Sequence, residues 1–297
     1  MELIWLEDYL ALAETLNFSR AAEARHVTQP AFSRRIRALE DWIGAELFTR
    51  STHGVALTAA GEHFHNQAEV LTRALHQLRR DTVEASGRGA RLLSIAATHA
   101  LSFTFFPKWV RSNERVLALG NLNLISDSMQ ACEQMMLRGD AQFLLCHYHA
   151  DMSSRLESGQ FKSIAVGADT LVPLSAPDSN GAPRWSLRGA GPARYLAYSA
   201  QSGLGRIVAA RSGAKGRGFA LETVFTSHLA ATLLSMARAG DGVAWLPLTL
   251  AEEDISAGRL VEAGNREFEI PIEIRLFRPV ARQGDAAEAA WTAFARS

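Results

Sequence analysis

The segment from residue 24 to residue 39 carries four arginines and no acidic residue, although the whole chain of 297 residues balances 31 basic against 31 acidic side chains. Its apolar residues recur at helical spacing and share one face of a helical wheel, namely Phe32, Ile36, Leu39 and Ile43. Pro30, Arg34 and Arg37 fall on the opposite face, with Ser33 on the flank. The segment therefore predicts a helix that packs on one side and presents a positive surface on the other.

Two shorter helices are predicted before this one. Helical spacing of Leu6, Tyr9 and Leu10 indicates the first, and Ser19 is the expected N-cap of the second. Thr28 is the expected cap of the arginine-rich helix, with Pro30 in its first turn. Two short helices joined by a tight turn fit the DNA major groove, where Arg can bind guanine and Gln can bind adenine.

A hairpin and a long helix are predicted next. Residues 46–58, ELFTRSTHGVALT, read as two strands around a turn at Gly54, with Arg50 and His53 near the tip of this wing. Thr58 is expected to cap a helix that reaches Ala85, and SGRGAR at 86–91 is expected to be a hinge. Six helix positions follow a 4, 3, 4, 3, 4 spacing, namely Phe64, Ala68, Leu71, Leu75, Leu78 and Thr82. This spacing predicts a dimer seam, and packing on the helix's own domain is the alternative.

Beyond residue 91 the pattern changes to alternating strands and helices, which favours a mostly parallel sheet. Two sets of such elements predict two α/β lobes, and the final strand, FEIPIEIRLFRP, is expected to return to the first lobe. Small ligands bind at the carboxyl ends of strands in such folds. A cleft between the two lobes is therefore the expected ligand site.

Several other kinds of protein fit the sequence poorly. No export signal and no long apolar span is present, so we expect a cytoplasmic protein without membrane contact. SGLGR at 202–206 lacks the third glycine of a dinucleotide loop, and we expect no cofactor. His147, His149 and Asp151 could form a metal site, but no fourth ligand is identified, and a polar strand end is the preferred interpretation.

The sulfur-containing residues allow two readings. Met129, Cys132 and Met136 share one predicted helix face, and Cys146 ends a predicted strand near the cleft. Core packing is the ordinary role of such residues. The alternative is an oxidant-sensitive cluster, because sulfoxidation makes an apolar face polar, and a reactive thiol would need a lowered pKa.

Three stretches, FSRAAEARHVTQPAFSRRIRALE, LFTR and LTAAGE, resemble the DNA-binding domain of LysR-type transcriptional regulators, and GDGVAWLP at 240–247 is similar to a late motif of that family. The resemblance implies a multidomain protein. An N-terminal all-α winged helix-turn-helix at 1–58 would be followed by a dimerising linker helix at 59–88. An α/β two-lobed, periplasmic-binding-protein-like effector domain would occupy 91–297. Its first lobe would span about 91–163 and 268–297, and its second about 164–267.

The resemblance also implies roles for individual residues. DNA contacts would come from the arginine-rich helix and the wing: Thr28, Gln29, Pro30, Ser33, Arg34, Arg35, Arg37, Arg50 and His53. Effector contacts would come from strand ends: Thr98, His99, Ser102, Ser126, His147, Ser199 and Ser227. THALS, CHYHAD and AYSAQSGLGR are also similar to a subgroup that responds to hypochlorite.

The sequence and this resemblance together predict a regulator that binds double-stranded promoter DNA, senses a small molecule or an oxidant, and changes promoter binding allosterically. The resemblance also implies a homotetramer. The effector is unidentified, and RNA polymerase is a further candidate partner. We expect no catalysis. Two alternatives belong to other classes: an enzyme that uses His99 and His147 as acid or base, and a solute-binding module without DNA activity.

Overall fold

The computed structural model describes residues 2–51, 54–86, 92–113, 121–157, 159–188, 191–214 and 221–295. The chain forms two compact units, of which the first comprises Met1–Val83 with Leu137–Gly139 and the second comprises Glu84–Met136 with Asp140–Ser297. None of the described helices is both long and apolar enough to cross a membrane.

The first unit begins with three helices, α1 (Leu3–Thr15), α2 (Phe18–Ala24) and α3 (Gln29–Ile43). The wing follows as an antiparallel pair, β1 (Phe48–Ser51) and β2 (Gly54–Leu57), and the long helix is α4 (Ala59–Ala85). The apolar faces of these elements form one core, whose largest buried side chains include Leu6, Tyr9, Leu12, Phe32, Ile36 and Leu39. The order of elements predicted for this unit is confirmed.

The helix caps differ from the sequence prediction at two of three positions. Asn17, not Ser19, is the N-cap of α2, because its side-chain oxygen accepts hydrogen bonds from the backbone N–H groups of Ser19 and Arg20. Thr28 occupies the N-cap position of α3, but its side chain makes no capping hydrogen bond. Thr58 Oγ1 accepts from Gly61 N at 2.9 Å, so this cap is confirmed.

The predicted seam of α4 divides into two parts. Phe64 and Ala68 pack into the core of their own unit, where Phe64 meets the Tyr9 ring edge-on with centroids 4.9 Å apart. The later positions are exposed, up to 62% for Leu78, and an apolar strip remains uncovered there: Leu71, Leu75 and Leu78. Only this later part of the seam is available for pairing with a second chain.

Seven strands in the described part of the second unit form one sheet: β3 (Leu92–Thr98), β4 (Asn121–Asp127), β5 (Phe143–Tyr148), β6 (Phe161–Ser175), β9 (Ala244–Pro247), β10 (Val261–Glu262) and β11 (Ile270–Pro279). Their order in the sheet is β10-β6-β11-β5-β3-β4, with β9 also paired to β6. A separate parallel pair is formed by β7 (Ala193–Tyr198) and β8 (Leu221–Ser227). Helices pack around them: α5 (His99–Thr104), α6 (Phe106–Arg111), α7 (Met129–Arg138), α8 (Gly203–Ala214), α9 (Ala230–Ala239), α10 (Leu248–Ser256) and α11 (Asp285–Phe294).

The prediction of a mostly parallel sheet is wrong for the described strands. Only the β3 pairs with β4 and β5 are parallel in the large sheet, whereas β11, β9 and β10 all pair antiparallel. The cause is β6, a strand of 15 residues whose first part pairs with β11 and whose last part pairs with β9 and β10. The predicted return of the last strand to the first lobe is confirmed, since β11 also pairs with β5.

Candidate DNA interface and effector cavity

The outer face of α3 is basic, as the wheel predicts. Phe32, Ile36 and Leu39 are fully buried, whereas Arg34 and Arg37 are exposed on the other side of the helix. Thr28, Gln29 and Pro30 are also exposed, at the helix start. The first turn of α3 carries no acidic residue. Its backbone N–H groups and the exposed guanidinium groups therefore leave a surface that attracts anions.

Ser33 and Arg35 are less available than the sequence suggests. Ser33 is only 9% exposed, and its Oγ accepts a hydrogen bond from Gln29 Nε2 at 3.2 Å. The helix turns Ser33 toward the packed side, and its role as a base-reading residue stays a prediction. Arg35 is partly buried, since its Nη1 donates to Asp8 Oδ2 at 3.3 Å. The two residues lie beside the basic face rather than at its centre.

A buried acid on α1 holds two arginines. Asp8 has no exposed surface, and its Oδ1 accepts from Arg25 Nε at 2.8 Å. Arg25 Nη2 also donates to Glu7 Oε2 at 2.5 Å. Burial lowers the pKa of Arg25, but the hydrogen bonds and negative charges of Asp8 and Glu7 outweigh it, and the net shift is upward. Sequence reasoning missed this network because it links residues far apart in the chain.

The wing contributes one arginine in a defined position. The guanidinium carbon of Arg50 lies 4.3 Å from the centroid of the Phe18 ring, a cation–π contact between the wing and the start of α2. Arg50 remains exposed. His53, the other predicted wing contact, lies outside the described residues.

A small cavity lies in the second unit, where strand ends and helix starts meet. Its volume is about 30 Å³, enough for a few water-sized groups. Polar groups in its lining come from five segments of the chain: Thr98, His99, Asp127, Ser128, His147, Ser202 and His228. Of the predicted effector residues, Thr98, His99 and His147 line it directly. Asp127, Ser128, Ser202 and His228 were missed, although each directly follows or ends a strand or precedes a helix.

The other predicted effector residues have different positions. Ser126 Oγ lies 3.1 Å from His99 Nδ1 and 2.9 Å from Ser102 Oγ, so these two serines support His99 rather than line the cavity. Ser227 Oγ accepts from Leu229 N, and Ser199 Oγ is buried. Neither Ser199 nor Ser227 is among the residues that line the cavity, and their role in effector binding stays a prediction.

Three buried polar atoms of the cavity region lack a hydrogen-bond partner in the described part of the chain, namely Thr98 Oγ1, His147 Nε2 and Ser199 Oγ. His147 is 3% exposed, and its Nε2 lies 3.8 Å from Asp169 Oδ2, beyond hydrogen-bonding distance. Buried polar groups in native proteins are nearly always paired. The region therefore has hydrogen-bonding capacity left for a ligand or water.

Two ionisable groups near the cavity have shifted pKa values. The pKa of His99 is lowered, chiefly by burial, with the charge of Asp127 opposing and that of His228 adding to the shift. Burial raises the pKa of Asp169, but the nearby His147 ring and hydrogen bonds from Thr249 and from the backbone N–H of Thr170 outweigh it, and the net shift is downward. Acidic conditions are thus needed to charge His99, while Asp169 stays ionised.

The described residues contain no group of three potential metal ligands. His149 Nδ1 lies 3.7 Å from Asp151 Oδ2, whereas His147 approaches Asp169 instead, so the three residues of the His-x-His-x-Asp pattern do not converge.

The four sulfur-containing residues considered as redox candidates are all buried. Met129, Cys132, Met136 and Cys146 are each at most 1% exposed, and only Met129 lines the cavity. Burial raises the pKa of Cys132 to about 12, and burial also raises the pKa of Cys146. Neither thiol has the lowered pKa that a redox role requires, which corrects that part of the oxidant hypothesis.

A helix-turn-helix with a basic outer helix and a wing, followed by a domain with a small cavity lined in part by polar groups, is the arrangement of a ligand-responsive DNA-binding protein. Residues 3–62 match the family model of the bacterial regulatory helix-turn-helix protein, lysR family, and residues 86–297 match that of the LysR substrate binding domain. The chain belongs to the LysR family. It is a DNA-binding transcriptional regulator with an effector-binding domain.

Individual relatives agree with this assignment over the whole chain. The HTH-type transcriptional regulator YjiE of Escherichia coli (strain K12) is 32% identical over 292 residues, which are 98% of this chain and 93% of that protein. The full-length structure of HypT from Salmonella typhimurium, a hypochlorite-specific LysR-type regulator, is 32% identical with a TM-score of 0.59, and covers 100% of this chain and 98% of that one. DarR of Vibrio fischeri, solved in complex with DNA, is 30% identical with a TM-score of 0.56, covering 100% and 99%.

Proposed function

We propose that the exposed face of α3 reads promoter DNA in the major groove, with the wing beside it. Gln29, Pro30 and Arg34 would meet base edges, and Thr28, Arg35, Arg37, Arg50 and His53 would contact the backbone or the adjacent groove. The observation that carries this proposal is the opposition between fully buried Phe32, Ile36 and Leu39 and exposed Arg34 and Arg37 on one helix. Ser33 would act through Gln29, because Ser33 Oγ accepts a hydrogen bond from the side-chain amide of Gln29.

We further propose that α4 pairs two chains and that two such pairs form a homotetramer. The domain boundaries would be those of a reader at 1–58, a linker at 59–88 and an effector domain at 91–297. Support comes from the exposed apolar strip of Leu71, Leu75 and Leu78, whose spacing matches a coiled-coil seam. Pairing would place two readers on two DNA half-sites.

We propose that the cavity of the second unit binds a small polar effector and that its occupancy changes promoter binding. The unpartnered Thr98 Oγ1 and His147 Nε2 support a ligand that exchanges hydrogen bonds. A volume of about 30 Å³ favours a ligand of few atoms over a large metabolite. The ligand must bind one arrangement of the domain more tightly than another, or it would shift nothing. The protein would act without catalysis, in the cytoplasm where the chromosome lies, with RNA polymerase as a further partner.

A second candidate is an oxidant-responsive regulator switched by sulfur oxidation. HypT of Salmonella typhimurium, which is similar over the whole chain, is described as hypochlorite-specific. Within this chain Met129 is the sulfur that supports the idea, because it lines the cavity and packs against Gly203 at the start of α8. A sulfoxide there would place a polar oxygen at a packed contact between α7 and α8.

The DNA proposal is tested with Arg34→Ala in a gel-shift titration against promoter fragments and random competitor. We expect weaker binding and a smaller preference for the promoter, on the order of tenfold for the removal of one bidentate contact. Arg111→Ala is the matched control, since Arg111 is an exposed arginine of α6 in the other unit. Wild-type affinity and selectivity for Arg34→Ala would refute the proposal.

The two effector hypotheses are separated by reporter assays after mild hypochlorite, combined with mass spectrometry. If oxidation is the signal, Met129→Leu abolishes the response while Met136→Leu, a buried methionine of the same helix that does not line the cavity, retains it. If Met129→Leu responds to hypochlorite as strongly as the wild type, Met129 is not the oxidised sensor residue and the ligand hypothesis is favoured.

A further inference from the structure

We propose that Asp8, a residue of α1 that does not face the DNA side, is a positioning residue for DNA binding: it holds Arg25 and Arg35 ready to contact backbone phosphates. The inference rests on the proposed role of α3 as the DNA reader. It adds a residue that the motif of the reader does not point to, since Asp8 lies 27 positions before Arg35.

The geometry of Asp8 is that of a shared anchor. Its side chain is completely buried, with Oδ1 2.8 Å from Arg25 Nε and Oδ2 3.3 Å from Arg35 Nη1. A buried carboxylate without such partners would be costly, so each side of the contact holds the other in place. A guanidinium group has five N–H donors in a rigid fork. Asp8 takes one donor from each arginine, and most donors of Arg35 remain for another acceptor.

The arginines of α3 consequently differ in how much freedom they have. Arg34 and Arg37 are exposed and make no hydrogen bond or ion pair with another described residue. Each must lose side-chain freedom when it binds DNA, and this loss of conformational entropy opposes binding. Arg35 is already restrained by Asp8, and a side chain restrained before binding loses less freedom on binding.

The same network reaches the linker helix. Glu7, the neighbour of Asp8, accepts from Arg25 Nη2 at 2.5 Å, and its other oxygen lies 3.2 Å from His76 Nε2 on α4. Arg25 thus joins Asp8 and Glu7, and the two acids together connect α1, α2, α3 and α4. The network therefore fixes the positions of Arg25 and Arg35 relative to α4 as well as relative to α1.

A simple charge effect predicts the opposite result from a positioning effect. Replacing Asp8 by Asn removes one negative charge and so raises the formal net charge of the chain from zero to plus one, and charge alone would tighten binding to DNA. Without the anchor, Arg25 and Arg35 would instead move freely, neutralise fewer phosphates and bind DNA more weakly. The sign of the change distinguishes the two effects.

The experiment measures binding of the full chain to a fluorescein-labelled random-sequence duplex by anisotropy over a series of NaCl concentrations. For Asp8→Asn we expect several-fold weaker binding and a salt slope, log Kobs against log [NaCl], that is shallower by about 1 for each phosphate that the variant no longer neutralises. Asp41→Asn is the matched control, because it makes the same charge change at an exposed position of α3 and we expect equal or tighter binding. Circular dichroism checks that each variant is folded.

Further variants protect the test against a folding defect. Arg35→Gln should also weaken binding, and in the double variant the loss of binding free energy should be smaller than the sum of the two single losses, because both changes break the contact between Asp8 and Arg35. Arg35→Lys keeps the charge but not the fork, and we expect an intermediate affinity. If Asp8→Asn does not fold, wild-type slopes for both Arg35 variants overturn the proposal.

Tighter binding or an unchanged slope for folded Asp8→Asn also overturns it, as do additive effects in the double variant. If Arg34→Ala nevertheless binds DNA more weakly, the proposal that α3 reads DNA stands and only the positioning role of Asp8 is refuted. If Arg34→Ala and Arg35→Gln both bind like wild type, the reader assignment itself fails.

Discussion

The imidazole rings of His99 and His228 lie with their centroids 5.7 Å apart at the effector cavity, one at the start of α5 and the other directly after β8. Two segments that are distant in sequence thus bring two ionisable rings together. Asp127 is the acid whose negative charge acts on His99, where it opposes the lowering of the pKa. Protonation of both rings would place like charges at one small cavity.

The pH dependence of stability follows from this pair. Because the folded pKa of His99 lies below its ordinary value of 6.5, the unfolded chain binds the proton first as the pH falls. Stability is therefore lost progressively below that value, and His99→Gln should reduce this loss. Urea unfolding between about pH 7.5 and pH 5.5 measures the slope. His228→Gln should raise the pKa of His99 as followed by NMR, and an unchanged value would contradict the pairwise effect.

A buried ion pair between α7 and α8 should be important for stability. Glu133 is fully buried, pairs with Arg206 at 2.8 Å and accepts from Ser154 Oγ at 3.0 Å. Glu133→Gln should destabilise the fold by about 2 to 4 kcal/mol, because it leaves Arg206 without its charge partner. Asp151→Asn, which breaks the exposed pair with Arg211, should change stability by less than about 1 kcal/mol. If urea unfolding shows equal losses of stability for the two variants, burial does not determine how much each ion pair contributes.

The junction of the reader and the linker helix requires a glycine. Tyr9 donates its buried hydroxyl hydrogen to Gly61 O at 2.7 Å, and a methyl group at Gly61 would collide with Leu47 O. Gly61→Ala should destabilise the first unit by roughly 1 to 3 kcal/mol from overpacking. Helix propensity alone would stabilise it by about 1 kcal/mol, so a higher melting temperature for the variant would disprove the close approach.

Both cysteines should be unreactive in the folded protein. Cys132 has a pKa raised to about 12, and Cys146 is buried with a raised pKa as well. At about pH 8 dithiobis(nitrobenzoate) should label neither thiol in the native chain and both after unfolding. Rapid labelling of the native protein would contradict this prediction and would support a redox role for a cysteine.

The exposed strip of α4 should control the oligomeric state. Leu75→Glu places a charge in the middle of that strip and should dissociate paired chains, as measured by analytical ultracentrifugation. Asn66→Glu adds the same side chain at an exposed position on the opposite side of the helix and should leave the assembly intact. Dissociation by both variants would indicate general disruption of α4 rather than a seam.

Local patterns predicted the first unit well because its helices are amphipathic and its turns are short. The spacing of Phe32, Ile36 and Leu39 identifies both the buried face of α3 and, by exclusion, the basic one. The cap of α2 was misplaced because Ser19 and Asn17 are both good capping residues, and only the backbone conformation selects Asn17. Such competition between neighbouring residues is not visible in a pattern of apolar spacing.

The effector cavity was predicted only in part. The rule that ligands bind at strand ends identified Thr98, His99 and His147, but Asp127, Ser128, Ser202 and His228 depend on which strand ends meet. Asp127 lies opposite Thr98 because β3 and β4 pair in parallel, and Ser227, the residue before His228, lies opposite Tyr198 because β7 and β8 pair in parallel. Neither pairing is written in the local alternation of strands and helices.

The amino-acid sequence by itself determined the reader, the linker helix and the family, because periodic burial and turn chemistry act over a few residues. Tertiary structure alone decided that Asp8 restrains Arg35, that His99 meets His228, and that both thiols are buried and resist ionisation. These properties arise from distances and solvent exclusion between segments that are far apart in the chain, and electrostatic interactions depend on both.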